Sequence, residues 1–134
     1  DIYYDFDKAT LRPESKAALQ EMAKILTENP EVRVRLSSHA DRHGPDAYNI
    51  GLSERRAQSV VAYLVQLGID AARLEAKGYG KTKPRAVTPA VRKQLSLPDD
   101  ALELSDTIVE ALSDEEQAVA DQLNRRTEFT VIEP

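Results

Sequence analysis

The hydrophobic positions of this chain change period several times, and each change marks an element. Ile2, Tyr4 and Phe6 alternate with Tyr3 and Asp5, the period-2 signature of a strand with one buried face. From Pro13 the period becomes helical: Ala18, Leu19, Met22, Ile25 and Leu26 recur on one stripe until Asn29-Pro30 ends it. Pro13 suits the first helical position, where its missing N–H would have no partner anyway. Val32, Val34 and Leu36 alternate with Arg33, Arg35 and Ser37, predicting a second strand that ends near Ser38. A loop over residues 39–49 follows, punctuated by Gly44-Pro45. Ser53 is placed to cap a second helix, in which Ala57, Val60, Val61 and Leu64 repeat at i, i+3, i+4 and i+7 before Gly68 closes it. Residues 74–77 read as a short third strand ahead of a tight turn at Gly78-Tyr79-Gly80. Thr127, Phe129 and Val131 alternate with Glu128, Thr130 and Ile132 as a fourth.

The order β-α-β-α-β, an interruption, then β predicts an α/β two-layer sandwich, with two helices on one face of a mixed four-stranded sheet. Within the interruption, Ser113 and Glu116 form a capping-box pattern ahead of Ala118, Val119 and Leu123, and Leu104, Ile108, Ala111 and Leu112 share a helical stripe. Two short helices are expected there. Their apolar positions are too few for an independent core, so they should pack onto the main domain. With no internal repeat, low-complexity tract or dividing linker, residues 1–134 read as one domain with a helical insert at about 85–123.

Composition narrows the function. A chain of 134 residues, 41% apolar, can bury a single core. The absence of cysteine removes disulfides and thiolate metal sites. Apolar stretches such as residues 59–67 are far shorter than the ~20 residues that cross a bilayer. The sequence opens on a strand-like run without a signal peptide, which reads as a piece of a longer protein whose export signal, lipid anchor or barrel lies upstream. A net charge of −5 argues against a nucleic-acid surface. The acidity belongs to the insert: residues 85–123 hold three basic residues against nine acidic ones, a net of −6.

If Ser53 caps the second helix, Arg55 and Arg56 fall in its first turn, where the macrodipole makes each cation cost up to ~1 kcal/mol. Either an anionic ligand resolves the conflict, held by free backbone N–H groups and a guanidinium fork, or both arginines are solvated or paired with Glu54 and Asp46. A metal is disfavoured, because His39, Asp41 and His43 lie on a loop without a clear fourth ligand and close to two arginines. Asp41 with Asp46 makes a weak catalytic pair, since no nucleophile or second acid is specified. Gly78-x-Gly80 has no helix start after it and does not read as a phosphate loop.

Taken together, the run His39-Ala40-Asp41-Arg42-His43-Gly44, then Tyr48-Asn49, Leu52-Ser53, Arg56-Ala57 and Val60, resembles the signature of the OmpA-like peptidoglycan-binding domains. That family includes the periplasmic domain of the outer-membrane barrel, the peptidoglycan-associated lipoprotein and the flagellar-motor stator protein. Tyr4-Asp5-Phe6-Asp7-Lys8 looks like its opening strand, and Gly68-Ile69, Arg73-Leu74, Gly78-Tyr79-Gly80 and Pro84 like its middle. Asn124-Arg125-Arg126 looks like its closing strand, so the resemblance covers residues 1–84 and 124–134.

The resemblance implies a non-catalytic module that grips the diaminopimelate residue of the peptidoglycan stem peptide, on the periplasmic face of the outer membrane of a Gram-negative bacterium. Asp41 matches the family's aspartate for the ligand ammonium, and Arg56 its arginine for the carboxylate. Phe6, Asp7, Ala40 and Asn49 match supporting contacts, with Asn124 and Arg125 at the pocket edge. No cofactor or metal is implied. Position 40 is Ala where many members carry Thr, and the insert is longer than the common form. The insert is expected to lie outside the primary site, to disfavour anionic ligands at long range, and to be replaceable by a linker without loss of binding. The alternative is an OmpA-like fold used mainly as an interaction module for an envelope protein through that insert. A peptidoglycan hydrolase finds no support, because neither a metal triad nor a nucleophile with a base is visible.

Overall fold

Burying the two long helical stripes requires both helices to share one face of a sheet. The computed structural model, which describes residues 2–4, 9 and 11–133, shows this arrangement. In chain order the elements are β1 (Ile2–Tyr3), α1 (Pro13–Glu28), β2 (Arg33–Ser38), α2 (Asp46–Gln66), β3 (Leu74–Gly78), α3 (Pro89–Arg92), α4 (Asp106–Glu110), α5 (Asp114–Asn124) and β4 (Arg126–Glu133). The sheet is four-stranded and mixed, in the order β1-β4-β2-β3. β2 and β3 run parallel, while β4 is antiparallel to both β1 and β2.

Leu19, Ala23 and Leu26 of α1 and Val60 and Leu64 of α2 meet Ile2, Tyr4, Val34, Leu36 and Leu74 in one apolar cluster. Each such valine, leucine or isoleucine side chain contributes roughly 1.5–3 kcal/mol by leaving water, and together they fix the two-layer arrangement. Pro13 takes the first position of α1, as expected. The buried stripe is rotated from the predicted one, because Ser15 turns inward to donate to the Tyr3 carbonyl while Ile25 stays 52% exposed.

Helix α2 corrects the sequence reading. It begins at Asp46, not after a Ser53 cap. The Ser53 hydroxyl instead donates to the Ile50 carbonyl at 2.9 Å and accepts the Gly80 N–H at 2.9 Å, stitching the helix to the turn after β3. That contact leaves no room for a side chain at Gly78, where a Cβ would collide with the Glu54 backbone nitrogen and lie 2.6 Å from the Ser53 hydroxyl. Because helical backbone cannot step aside, Gly78→Ala should cost about 1–3 kcal/mol of unfolding free energy in a urea titration. A variant as stable as wild type would show that α2 is free to move off β3.

The insert holds three short helices where two were expected. α3 is capped by Thr88 with Pro89 in its first turn, α4 by Ser105 and α5 by Ser113. The capping box closes only halfway, since the Glu116 carboxylate accepts from the Ser96 N–H at 2.6 Å. The insert's apolar residues also do more for one another than expected. Val91, Leu95, Leu104, Val109, Ala120 and Leu123 form a second cluster, against which Tyr3 of β1 packs from the main domain. Val109 and Ala120 take inward positions, while Ala111 and Val119, both placed on the predicted stripes, face solvent.

Candidate functional site

Strand β2 delivers the chain to the site. Past Ser38, His39 N–H donates to the Arg126 carbonyl at 2.8 Å and Ala40 N–H to the Gly80 carbonyl at 2.9 Å, so the loop leaves the sheet in a fixed direction. Asp41 then folds back, its Oδ1 accepting the His43 N–H at 2.9 Å in a local turn typical of aspartate. Gly44 turns the chain with φ +87°, a conformation that suits glycine. The Asn49 amide donates to the His43 carbonyl at 2.8 Å and ties the loop to the first turn of α2.

Between this loop and α2 lies a cavity of about 330 Å³, lined by Ala40, Asp41, His43, Gly44, Pro45, Tyr48, Asn49, Leu52, Arg56 and Arg125. Tyr48, Leu52 and Arg56 recur at four-residue spacing, which places them on one helical face. Arg56 therefore reaches the cavity from more than two turns inside α2, and the macrodipole reason for singling it out does not apply. Arg55 is exposed, its guanidinium 5.9 Å from the Tyr48 ring, and Asp46 lies 3.8 Å from the Lys81 ammonium.

Arg56 is withdrawn completely from solvent. It donates to the His39 carbonyl at 3.1 Å and lies over the Tyr4 ring, 4.9 Å from its centre. Burial pushes the Tyr4 phenol up to about 12, against the lowering effect of its 2.7 Å bond with Thr127 and of the Arg56 charge. It therefore stays neutral and presents its ring face to a cation. Asp41 is only 4% exposed, and its Oδ2 accepts from Arg125 at 2.6 Å. Arg125 is held in turn by the Tyr4 carbonyl at 3.1 Å and Gln122 at 3.2 Å. One buried carboxylate and two guanidinium groups thus line one cavity, which can take an anion and a cation together.

Of the residues expected to bind ligand, Asp41, Arg56, Asn49, Ala40 and Arg125 meet at this cavity. Asn124 does not line it: its side chain accepts from Arg85 N–H at 2.8 Å and donates to the Leu104 carbonyl at 3.1 Å, tying down the insert. Phe6 and Asp7 lie outside the described residues. Pro45, Tyr48 and Leu52 were not assigned a role from the sequence, although the four-residue spacing from Tyr48 to Arg56 was there to be read.

The insert is not separate from the site. Asp121 of α5 accepts from Arg42 at 3.1 Å and lies 3.1 Å from the His43 ring, and Gln117 accepts from Arg42 at 2.9 Å. Asp106 pairs with Lys81 at 3.1 Å. Part of the insert's negative charge is therefore spent on local cations.

Comparison with known proteins adds three findings. The pattern of the OmpA family matches residues 3–94. Outer membrane protein A of Escherichia fergusonii is 46% identical over 86 residues, 63% of this chain and 35% of the relative. The chain thus spans about a third of that curated relative. Among solved structures, the peptidoglycan-associated lipoprotein from Burkholderia pseudomallei superimposes with a TM-score of 0.71 at 25% identity, covering 97% of this chain and 87% of that one. The cell wall anchor of the T6SS from Pseudomonas aeruginosa does so with a TM-score of 0.63 at 25% identity, covering 98% and 75%.

Proposed function

Because the chain belongs to the OmpA family, we propose that it binds peptidoglycan non-covalently and anchors an envelope protein to the cell wall. The ligand is the diaminopimelate residue of the stem peptide, whose free end carries an ammonium and a carboxylate on one carbon. The observation that carries this reading is the cavity holding Asp41 beside Arg56 and Arg125. Recognising such a centre needs an acceptor for the ammonium and a guanidinium fork for the carboxylate, at a separation set by rigid elements. The β2 end and the α2 face supply them.

Arg56 lines the cavity yet has no surface exposed to water, so direct contact between its guanidinium and a ligand requires a local rearrangement. The Asp41–Arg125 pair is the contact that an incoming ammonium must share or replace. In this reading the domain binds without cutting, and Asp41, the carboxylate of the cavity lining, is engaged by Arg125 at 2.6 Å. Its place is the periplasmic face of the outer membrane in a Gram-negative envelope, in keeping with the relatives named above.

Sedimentation with purified diaminopimelate-type sacculi tests the reading. Asp41→Asn keeps an acceptor for the His43 N–H but loses the charge that faces the ammonium. It should bind at least about tenfold more weakly, since a charged hydrogen bond contributes roughly 1.5–3 kcal/mol. Free meso-diaminopimelate should compete with sacculi for the wild type. A folded Asp41→Asn protein that binds sacculi like wild type, or binding that free diaminopimelate leaves untouched, would sink the assignment.

A further inference from the structure

We propose that Asp121, on the insert helix α5, is a positioning residue for the ligand cavity: it holds the loop that carries Asp41. The inference rests on the binding reading above and adds control of that site by the insert.

Asp121 is 5% exposed, and a carboxylate so withdrawn from water must be compensated. Both of its oxygens are used, and both on the site loop: Oδ1 accepts from Arg42 Nε and Oδ2 meets His43 Nε2, each at 3.1 Å. Gln117, one turn earlier on α5, accepts from a second nitrogen of Arg42 at 2.9 Å. Its own amide donates to the carbonyls of Glu110 and Leu112, which fixes it to the turn between α4 and α5. The outer side of the loop is therefore bound to a rigid support.

The inner side carries the ligand-facing group. Asp41 Oδ1 accepts the backbone N–H of His43, so a shift of His43 acts directly on the Asp41 carboxylate. The partner of Asp41 has the same reference point, because Arg125 N–H donates to the Asp121 carbonyl at 3.1 Å and its guanidinium to Gln122. Asp41 and Arg125 are in direct contact at 2.6 Å in the cavity lining, and each is tied to one turn of α5. The Arg42 and His43 side chains are 19% and 44% exposed and can turn to water when the carboxylate is removed, so the consequence of these pairs is a defined loop geometry more than a tighter fold.

Without the Asp121 carboxylate the loop keeps its Asn49 tether and loses its outer anchor. If the binding-competent arrangement then falls to about a tenth of the population, affinity falls about tenfold.

The experiment uses the full chain and two readouts, amide hydrogen exchange at His43 and calorimetric binding of meso-diaminopimelate. Asp121→Ala should speed exchange at His43 and weaken binding, each about tenfold, with little change in the urea midpoint. In an Arg42→Ala/His43→Ala background, adding Asp121→Ala should weaken binding no further, whereas a general stabilising role would add its own loss. Should Asp121→Ala not fold, Asp121→Asn, which keeps the volume and loses the charge, is held to the same criteria. Wild-type binding with unchanged affinity in the folded variant overturns this inference alone, as does weakened binding with unchanged exchange. A wild type that binds neither diaminopimelate nor sacculi overturns the binding reading, and this inference with it.

Discussion

Arg56→Met should abolish measurable binding to sacculi while leaving the domain folded. A guanidinium that grips a carboxylate through both oxygens makes two charged hydrogen bonds, each contributing roughly 1.5–3 kcal/mol, so the loss should be at least about a hundredfold. The effect on folding is smaller because opposing terms cancel. Methionine fills a similar volume but leaves the His39 carbonyl without the guanidinium donor and removes the stack on Tyr4. Against that, the chain no longer has to desolvate a cation on folding. Urea unfolding should therefore shift by no more than about 2 kcal/mol. Arg56→Lys separates charge from geometry: it keeps the cation, loses the planar fork, and should fall between wild type and methionine. A folded Arg56→Met protein that binds sacculi within threefold of wild type would place the carboxylate elsewhere in the cavity, with Arg125 as the remaining guanidinium.

Arg56 also shows how a residue that does line the cavity can be singled out by a faulty route. In the sequence it stands out as a cation at an expected helix start, yet the helix starts at Asp46. Two features hid that start. Gly44-Pro45 reads as turn punctuation, and Asn49 and Gly51 have poor intrinsic helix propensity, so the first turns of α2 look like loop. Tertiary contact overrides that preference: the Asn49 side chain is buried and spends its amide on the loop carbonyls. The family pattern reached Arg56 independently, because its spacing from Asp41 is a property of the chain and not of the cap.

Periodicity was the most legible signal. Strands β1, β2 and β4 and the main part of both long helices are legible as alternation at two or near four residues, although Val131 of β4 is 62% exposed. Helix α3 was also within reach, as Thr88-Pro89 is a cap followed by a first-turn proline. The charge pairing was not legible. Asp41 finds Arg125 and Asp121 finds Arg42 across most of the chain, and nothing local tells one carboxylate among 23 acidic residues which of the 18 cations it will meet. For the same reason the insert looked like an accessory. Its acidity was visible, while the loop it supports became visible only when the chain closed.

The second large effect lies beside the cavity and acts on stability. His39 is 3% exposed, its ring stacked on Tyr79 at 5.4 Å, and its Nδ1 has no hydrogen-bond partner among the described residues. Burial and the Arg126 charge, aided by Lys83 and opposed by Glu128, push its pKa down from 6.5 to about 4. Near neutral pH the ring is uncharged in both the folded and the unfolded chain and contributes nothing to the pH dependence. As the pH falls below 6.5 the unfolded chain takes up a proton that the folded chain refuses, so folding loses free energy continuously until about pH 4. Below that both states carry the charge and the loss stops growing. The interval corresponds to about 3 kcal/mol, a large part of the stability of a domain this size. His39→Phe keeps a flat ring against Tyr79 and cannot be protonated. Urea titrations from pH 7 to pH 4 should show the wild type losing about 3 kcal/mol more than His39→Phe, with the difference developing between pH 6.5 and pH 4. Parallel stability curves for the two proteins across that range would mean that His39 takes up its proton as readily in the folded chain as in the unfolded one, through a ring that leaves its buried position.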